Sequence, residues 1–179
     1  MKMKSPVVIS MLEFIRDGKF DYIKIGQTRE WIFHNFPSPD GWEEELLHVL
    51  EIFNIWRYGN IEFHFEEDQL SSIFCDDFST YDEDTDKIVN QWNAGKWIDL
   101  DLWIFDRVEK LNLSYVMEIL NQNRISFSVF HSDLNVVIRI LKSNVELVFE
   151  KKSHEELDSD TNLFQFVAFG LGRVSNVPN

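Results

Sequence analysis

The sequence contains a single cysteine, Cys75, among 179 residues. One thiol excludes an intramolecular disulfide and any structural zinc site that needs several cysteines. This usage fits a reducing compartment, so the cytoplasm is the expected location. Cys75 ends an apolar stretch, and we expect a small buried hydrophobic residue there.

Glycine is also scarce, with seven residues, and the glycine-rich phosphate-binding motifs do not occur. The hydrolase motif G-x-S-x-G is missing as well. No apolar run reaches the roughly 18 residues of a membrane span. The basic N-terminus is followed too closely by charged residues to be a signal peptide. We therefore expect a non-enzymatic protein without a cofactor and without membrane attachment.

The metal-binding patterns are incomplete. Residues 154–158 begin like the zinc motif H-E-x-x-H, but Asp158 replaces the second histidine. The aspartates of 82–86 have the spacing of a calcium loop, yet the glycine and the glutamate that an EF-hand needs further on are missing. We expect no metal site and a solvated acidic loop at 82–86.

Basic residues are few, with 17 Lys or Arg against 31 Asp or Glu, which gives a net charge of −14. An acidic surface repels phosphates, so we expect no nucleic-acid partner. Residues 40–86 contain 15 of the acidic residues and only one arginine, so they carry the entire net charge. Such a segment can steer a basic protein partner into contact. The alternative is a surface that only keeps the protein soluble, since clustering in sequence need not become clustering in space.

Local signals in the first third predict short helices. A capping box at Ser10 and a glycine stop at Gly18 bound the first helix. A second helix over 29–36 precedes two prolines, and apolar residues at helical spacing predict a third over 46–53. Weak alternation over 20–25 predicts a short strand.

Period-two alternation then predicts a three-strand meander. Its strands are residues 55–58, 60–66 and 70–75. In the middle strand Glu62, His64 and Glu66 share one face, opposite three apolar residues. Two interpretations are open for this face: a small acid–base cluster, or an ordinary solvated strand surface.

The second half predicts a polar connection over 76–96, a strand over 97–102 and a helix over 113–120. Four further strands are predicted over 125–130, 134–141, 145–150 and 163–169. Segregated helices and strands indicate an α+β fold, with antiparallel β meanders and helices packed on one side.

Two domain arrangements are open. The chain forms one α+β domain over 1–179 with a continuous sheet, or it consists of two degenerate helix-plus-meander halves, 1–96 and 97–170. In either case, residues 171–179 are predicted to be a loose tail.

The most distinctive local string is Trp56-Arg57-Tyr58-Gly59-Asn60. Aromatic and arginine side chains of this kind form binding hot spots, but they also seal the core at a strand end. With the acidic residues of the same segment, the string makes the predicted partner-binding surface. Its candidate residues are Glu43, Glu44, Glu45, Trp56, Arg57, Tyr58, Asp82, Glu83, Asp84 and Asp86.

A recognisable pattern of residues occurs in the segments 25–32, 35–37 and 55–63 and again in the later segment 121–127. Together they resemble small acidic bacterial immunity proteins of toxin–immunity systems and related uncharacterised proteins. The resemblance implies a protein that binds and blocks one cognate toxin domain, often a nuclease with a basic cleft. The alternatives are a scaffold subunit or homo-oligomer, and an enzyme with a site around His64.

Overall fold

The first element that the structure describes is a strand that runs directly into a capped helix. The computed structural model describes residues 6–40, 54–77, 79–82, 87–90, 92–106, 110–151 and 163–172. Strand β1 covers Val7–Ser10 and helix α1 covers Met11–Asp17. The Ser10 side chain accepts a hydrogen bond from the backbone N–H of Glu13, and Gly18 ends the helix with a φ of 68°. The predicted first helix is confirmed, with Ser10 as its N-cap and Gly18 at its end.

Helix α2 covers Arg29–Asn35, and its N-cap is Thr28, whose hydroxyl accepts a hydrogen bond from the backbone N–H of Trp31 at 3.2 Å. The predicted second helix is confirmed and ends one residue early. The predicted third helix, over 46–53, lies outside the described residues.

The predicted strand over 20–25 is wrong. Phe20 and Ile23 form a single isolated bridge across a turn, and Asp21 inside that turn has a positive φ of 56°. Both apolar side chains are fully buried. Their burial produced the apparent alternation, although the chain here folds back on itself.

The predicted meander is confirmed. Its strands are β2 Ile55–Tyr58, β3 Ile61–Glu66 and β4 Gln69–Cys75, each antiparallel to the next. Both residues in the turn between β3 and β4, Glu67 and Asp68, have positive φ, as a tight hairpin turn requires.

The sequence predicts a polar connection over residues 76–96, and the structure shows that part of this connection forms strands. It contains an antiparallel pair, β5 Ser79–Asp82 and β6 Lys87–Asn90. The predicted strand after it is confirmed as β7, Ile98–Asp101. Strand β7 pairs in parallel with β1, a pairing that the sequence did not predict, and a 3-10 helix over Trp103–Asp106 follows.

The second half matches its predicted elements. Helix α3 covers Leu113–Gln122, and the Asn112 side chain caps it by accepting from the backbone N–H of Tyr115 at 2.9 Å. The strands that follow are β8 Phe127–His131, β9 Asn135–Ile140, β10 Val145–Lys151 and β11 Phe164–Gly172.

The two meanders share one seven-stranded antiparallel sheet, in the order β2-β3-β4-β11-β10-β9-β8. Strand β11 joins them, since it pairs with β4 on one side and with β10 on the other. The fold is therefore α+β, as predicted, with a continuous sheet across both halves. Residues 171 and 172 belong to β11, and the rest of the predicted tail lies outside the described residues. Duplication of the halves stays a prediction.

The helices pack on one face of this sheet, which we call the inner face. The ring of Phe14 in α1 meets that of Phe169 in β11 edge-on, with the centroids 5.4 Å apart. Ser143, in the turn before β10, is buried and donates its hydroxyl to the backbone carbonyl of Ile15 at 2.6 Å. The other face of the sheet, the outer face, carries the polar side chains described below.

The end of α1 is also tied to the sheet by charge. Hydrogen bonds from Arg16 and from Lys142 lower the pKa of Asp17 from 3.8 to about 2. The Lys142 Nζ lies 2.5 Å from Asp17 Oδ1. Because the folded-state pKa is depressed, this carboxylate stabilises the fold above its ordinary pKa and loses that effect as the pH falls toward 2.

We expect Asp17→Asn to lower the urea midpoint at neutral pH, because it removes the charge that both cations contact. The difference from the native protein should shrink between about pH 4 and pH 2, where the native carboxylate becomes protonated. The matched control is Asp99→Asn, at an exposed position of β7. A difference that stays constant down to pH 2 would contradict this role of Asp17.

Candidate binding surface on the outer face of the sheet

The alternation of β3 places its polar residues on the outer face. Ile61, Phe63 and Phe65 are at most 2% exposed, and they line the inner face. Glu62 and His64 alternate with them and point the other way. The predicted two-sided strand is confirmed, and the outer face is where charged groups meet.

Trp56 and Tyr58 are core residues, which corrects their assignment to a partner-binding surface. Trp56 is 0% and Tyr58 is 1% exposed. The Trp56 ring packs 4.7 Å from Phe65, and the Tyr58 hydroxyl donates to the carbonyl of Pro37 at 3.0 Å. Burial raises the pKa of Tyr58 well above its usual range. Of the two interpretations of this string, the one in which its aromatics seal the core is confirmed.

Arg57 lies between Trp56 and Tyr58 in the sequence, and its side chain points to the opposite, outer face of the sheet. Its Nη2 is 2.8 Å from Glu62 Oε1, and its side chain is 70% exposed. The other oxygen of Glu62 lies 2.9 Å from Nε2 of His64. Of the predicted cluster of Glu62, His64 and Glu66, the described contacts join Glu62 and His64, and Arg57 is the third member in place of Glu66. An enzyme built on this group stays a prediction.

A row of outward-facing residues continues from this group across the sheet. Each residue of the row is the direct cross-strand partner of the next, through β2, β3, β4, β11, β10 and β9. In that order the row is Arg57, Glu62, Phe74, Gly170, Glu146 and Arg139. Two arginine–glutamate pairs therefore flank an aromatic ring and a glycine.

The second pair is much less exposed than the first. Glu146 is only 3% exposed, and its Oε1 lies 2.8 Å from Nε and 2.6 Å from Nη2 of Arg139. The guanidinium of Arg139 also lies over the ring of Phe130, 4.9 Å from its centroid. The second oxygen, Oε2, is buried and accepts no hydrogen bond from any residue that the structure describes. A buried carboxylate oxygen without a donor is costly.

This pair was not predicted from the sequence. The available signal was a charged residue inside each of two apolar runs, Val136–Ile140 and Val145–Phe149. Only the strand register, which the sequence does not give, brings the two together.

Exposed carboxylates border the meander at both ends of β4. Glu66, Glu67 and Asp68 lie at its start, and Asp76 and Asp77 follow its last residue. Asp68 pairs with the buried Arg29, and its Oδ1 lies 3.3 Å from Nε.

The remaining candidates receive no structural test. Glu43, Glu44, Glu45, Glu83, Asp84 and Asp86 lie outside the described residues. Asp82 is the last residue of β5, and its side chain is likewise not described. Their place in the binding surface stays a prediction.

Cys75 is fully buried, as expected, and burial raises the pKa of its thiol to about 12.

In the described ranges, no three His, Cys, Asp or Glu side chains come together as a metal site. Across those same ranges, no helix combines the length and the apolar character needed to cross a membrane.

Comparison with known proteins gives no match to a family model, to a curated protein or to a solved structure.

Proposed function

We propose that this chain is a cytoplasmic, non-enzymatic protein that binds a basic protein. The partner that we expect is a cognate toxin domain. The resemblance to immunity proteins supports the kind of partner. The charge of the β2–β4 meander supports the place of contact.

The observation that carries the proposal is an imbalance between the two ends of the seven-stranded sheet. Residues 54–77, which contain β2, β3 and β4, have six acidic residues and one arginine, and that arginine already pairs with Glu62. Residues 127–151, which contain β8, β9 and β10, have three acidic and three basic residues. The described part of the acidic segment therefore lies at one end of the sheet, which supports the proposal.

Such a distribution favours association with a basic surface. Carboxylates at one end create a field that orients an approaching partner and raises the association rate by about 10- to 1,000-fold at low ionic strength. Exposed carboxylates can also occupy the positions of phosphates in a basic nuclease cleft. Strand β2 forms the edge of the sheet, so none of the described strands covers this end.

Reversing charge in this region should weaken binding while leaving the fold intact. We expect the triple variant Glu66→Lys, Glu67→Lys and Asp76→Lys, called the meander variant below, to bind a basic toxin domain encoded beside its gene at least about tenfold more weakly at low salt. The three positions are exposed, so circular dichroism and the urea midpoint should change little. Isothermal titration with the purified toxin domain measures the affinity.

The matched control reverses three exposed carboxylates elsewhere, at Asp99, Asp101 and Asp133. It makes the same change in net charge at positions that do not belong to the meander. Equal losses in the two triple variants would show that only net charge matters, and unchanged binding in the meander variant would contradict the proposal.

A further inference from the structure

We propose that two copies of this chain pair through β8, antiparallel and edge to edge, so that their two sheets become one continuous sheet. This pairing is independent of the proposed function, because it uses the end of the sheet opposite the acidic meander. The starting observation is that β8 is the last described strand at that end.

The hydrogen bonds between β8 and β9 show which backbone groups of β8 face away from the sheet. The backbone N–H of Leu141 donates to the carbonyl of Ser126 at 2.9 Å, so this pair is a hydrogen-bonded one. Such pairs alternate along an antiparallel ladder, so every second residue of β8 directs its N–H and C=O away from β9. These residues are Phe127, Val129 and His131. Within the described part of the chain, none of the three has a backbone partner on that side.

Strand β8 lacks the features that usually keep an edge strand unpaired. Its residues, 127–131, include no proline, lysine or carboxylate, and its register with β9 contains no bulge. The opposite edge of the sheet differs, because the carbonyl of Arg57 in β2 accepts a hydrogen bond from the backbone N–H of Asp40 at 2.8 Å. Two copies of the acidic meander would also repel each other.

The strand complements itself about a two-fold axis. With Val129 on that axis, it pairs with Val129 of the second copy, and Phe127 pairs with His131 of the second copy. All three residues then exchange both backbone hydrogen bonds. Phe127 and Val129 are half-buried and pack against the core, so the added strand extends the apolar layer to which they belong.

Charges at the two ends of the strand favour a second copy in the antiparallel direction. Arg124 precedes β8 and Asp133 follows it, and both side chains are exposed. Antiparallel pairing brings Arg124 of each copy to the same end as Asp133 of the other, whereas parallel pairing would bring like charges together. Residues 127–151 carry equal numbers of acidic and basic side chains, so this end of one copy does not repel that of another.

Exposed apolar side chains flank the same edge. Leu134 is 71% exposed and Leu141 is 57% exposed, and they lie at opposite ends of β8. Antiparallel pairing therefore places one leucine from each copy at each end of the joint, where the second copy reduces their contact with water.

The first test measures association of the complete native protein. A joint of one strand pair is small, so we expect a reversible dimer with a dissociation constant between about 1 µM and about 1 mM. Sedimentation equilibrium over that range of concentration should show an average mass that rises from one chain toward two. A mass of one chain throughout would overturn the proposal.

Val129→Cys tests the register. Residues paired across such a ladder have Cα atoms about 5.5 Å apart, which a disulfide spans, so oxidised glutathione should link two copies of this variant. His131→Cys is the matched control, because its counterpart lies four residues further along the paired strand, about 13 Å away. Cys75 is fully buried and should not react. Equal cross-linking of the two variants on a non-reducing gel would refute the pairing.

A charge exchange tests the direction of pairing. Asp133→Arg places two arginines at each end of the joint, so the dimer should dissociate at least about threefold more readily at low salt. Adding Arg124→Asp restores opposite signs and should recover the native affinity. Position 124 has a positive φ of 56°, which aspartate tolerates. If Val129→Cys does not fold, this exchange decides alone, and a double variant as weak as the single one would overturn the proposal.

Discussion

Replacing Trp56 by alanine is expected to lower the free energy of unfolding by about 3–5 kcal/mol. The indole is fully buried and packs on Phe65, so its removal loses apolar contacts and leaves a cavity in the inner face of the sheet. Urea unfolding followed by circular dichroism measures the change. The loss is large enough to consume much of the stability of an ordinary domain.

The adjacent residue supplies the control. Arg57→Ala removes a side chain that is 70% exposed and a surface ion pair with Glu62, so its cost should stay below about 1 kcal/mol. If Trp56→Ala were as mild as Arg57→Ala, the indole would not be a core residue. Its assignment to a binding surface would then be open again.

The second large effect concerns the buried pair on the outer face. Arg139→Met is expected to cost about 3 kcal/mol, because it leaves the Glu146 carboxylate buried without its only described partner. Replacing both members, in Arg139→Met with Glu146→Leu, should recover most of that loss, because no unpaired charge remains.

A double-mutant cycle measures this coupling. The single variants Arg139→Met and Glu146→Leu and their combination are unfolded in urea under the same conditions. The costs of the two single changes should sum to well above the cost of the double variant. Additive costs would show that the 2.6 Å contact between these side chains contributes nothing specific to stability.

Local signals explain the elements that the sequence predicted correctly. The caps at Ser10 and Asn112 act through hydrogen bonds to a backbone N–H three residues later, so the sequence contains everything needed to predict them. The alternation of β3 also follows from the sequence, because successive side chains of a strand point to opposite faces.

The misses involve partners that are distant in sequence. Strand β1 is only four residues long, and its partner β7 begins 91 positions later, at Ile98. No local pattern announces such a parallel pair. The strand predicted over 20–25 fails for a local reason. Two buried apolar residues of a turn, Phe20 and Ile23, produce a sequence pattern that looks like the alternation of a strand.

The candidate site divides in the same way. Alternation within β3 places Glu62 and His64 outward. The pairing of β2 with β3 sets Trp56 opposite Phe63 and Tyr58 opposite Ile61, so both rings point inward, but this pairing is not visible in the sequence. The positions of Arg139, Glu146 and Gly170 relative to one another depend on register. Composition located the acidity in one segment, and only the sheet order shows that its described part lies at one end of the sheet.

The measurement that tests the central claim most directly is the association rate with the basic toxin domain, followed by stopped-flow fluorescence at two ionic strengths. Raising the salt from about 0.01 M to about 0.15 M shortens the screening length from about 30 Å to about 8 Å. We predict that the native rate falls at least about tenfold over this range, and that the meander variant, with its three carboxylates replaced by lysine, shows little dependence. A native rate that is independent of salt, or a meander variant as salt-dependent as the native protein, would contradict the claim that this end of the sheet steers the partner.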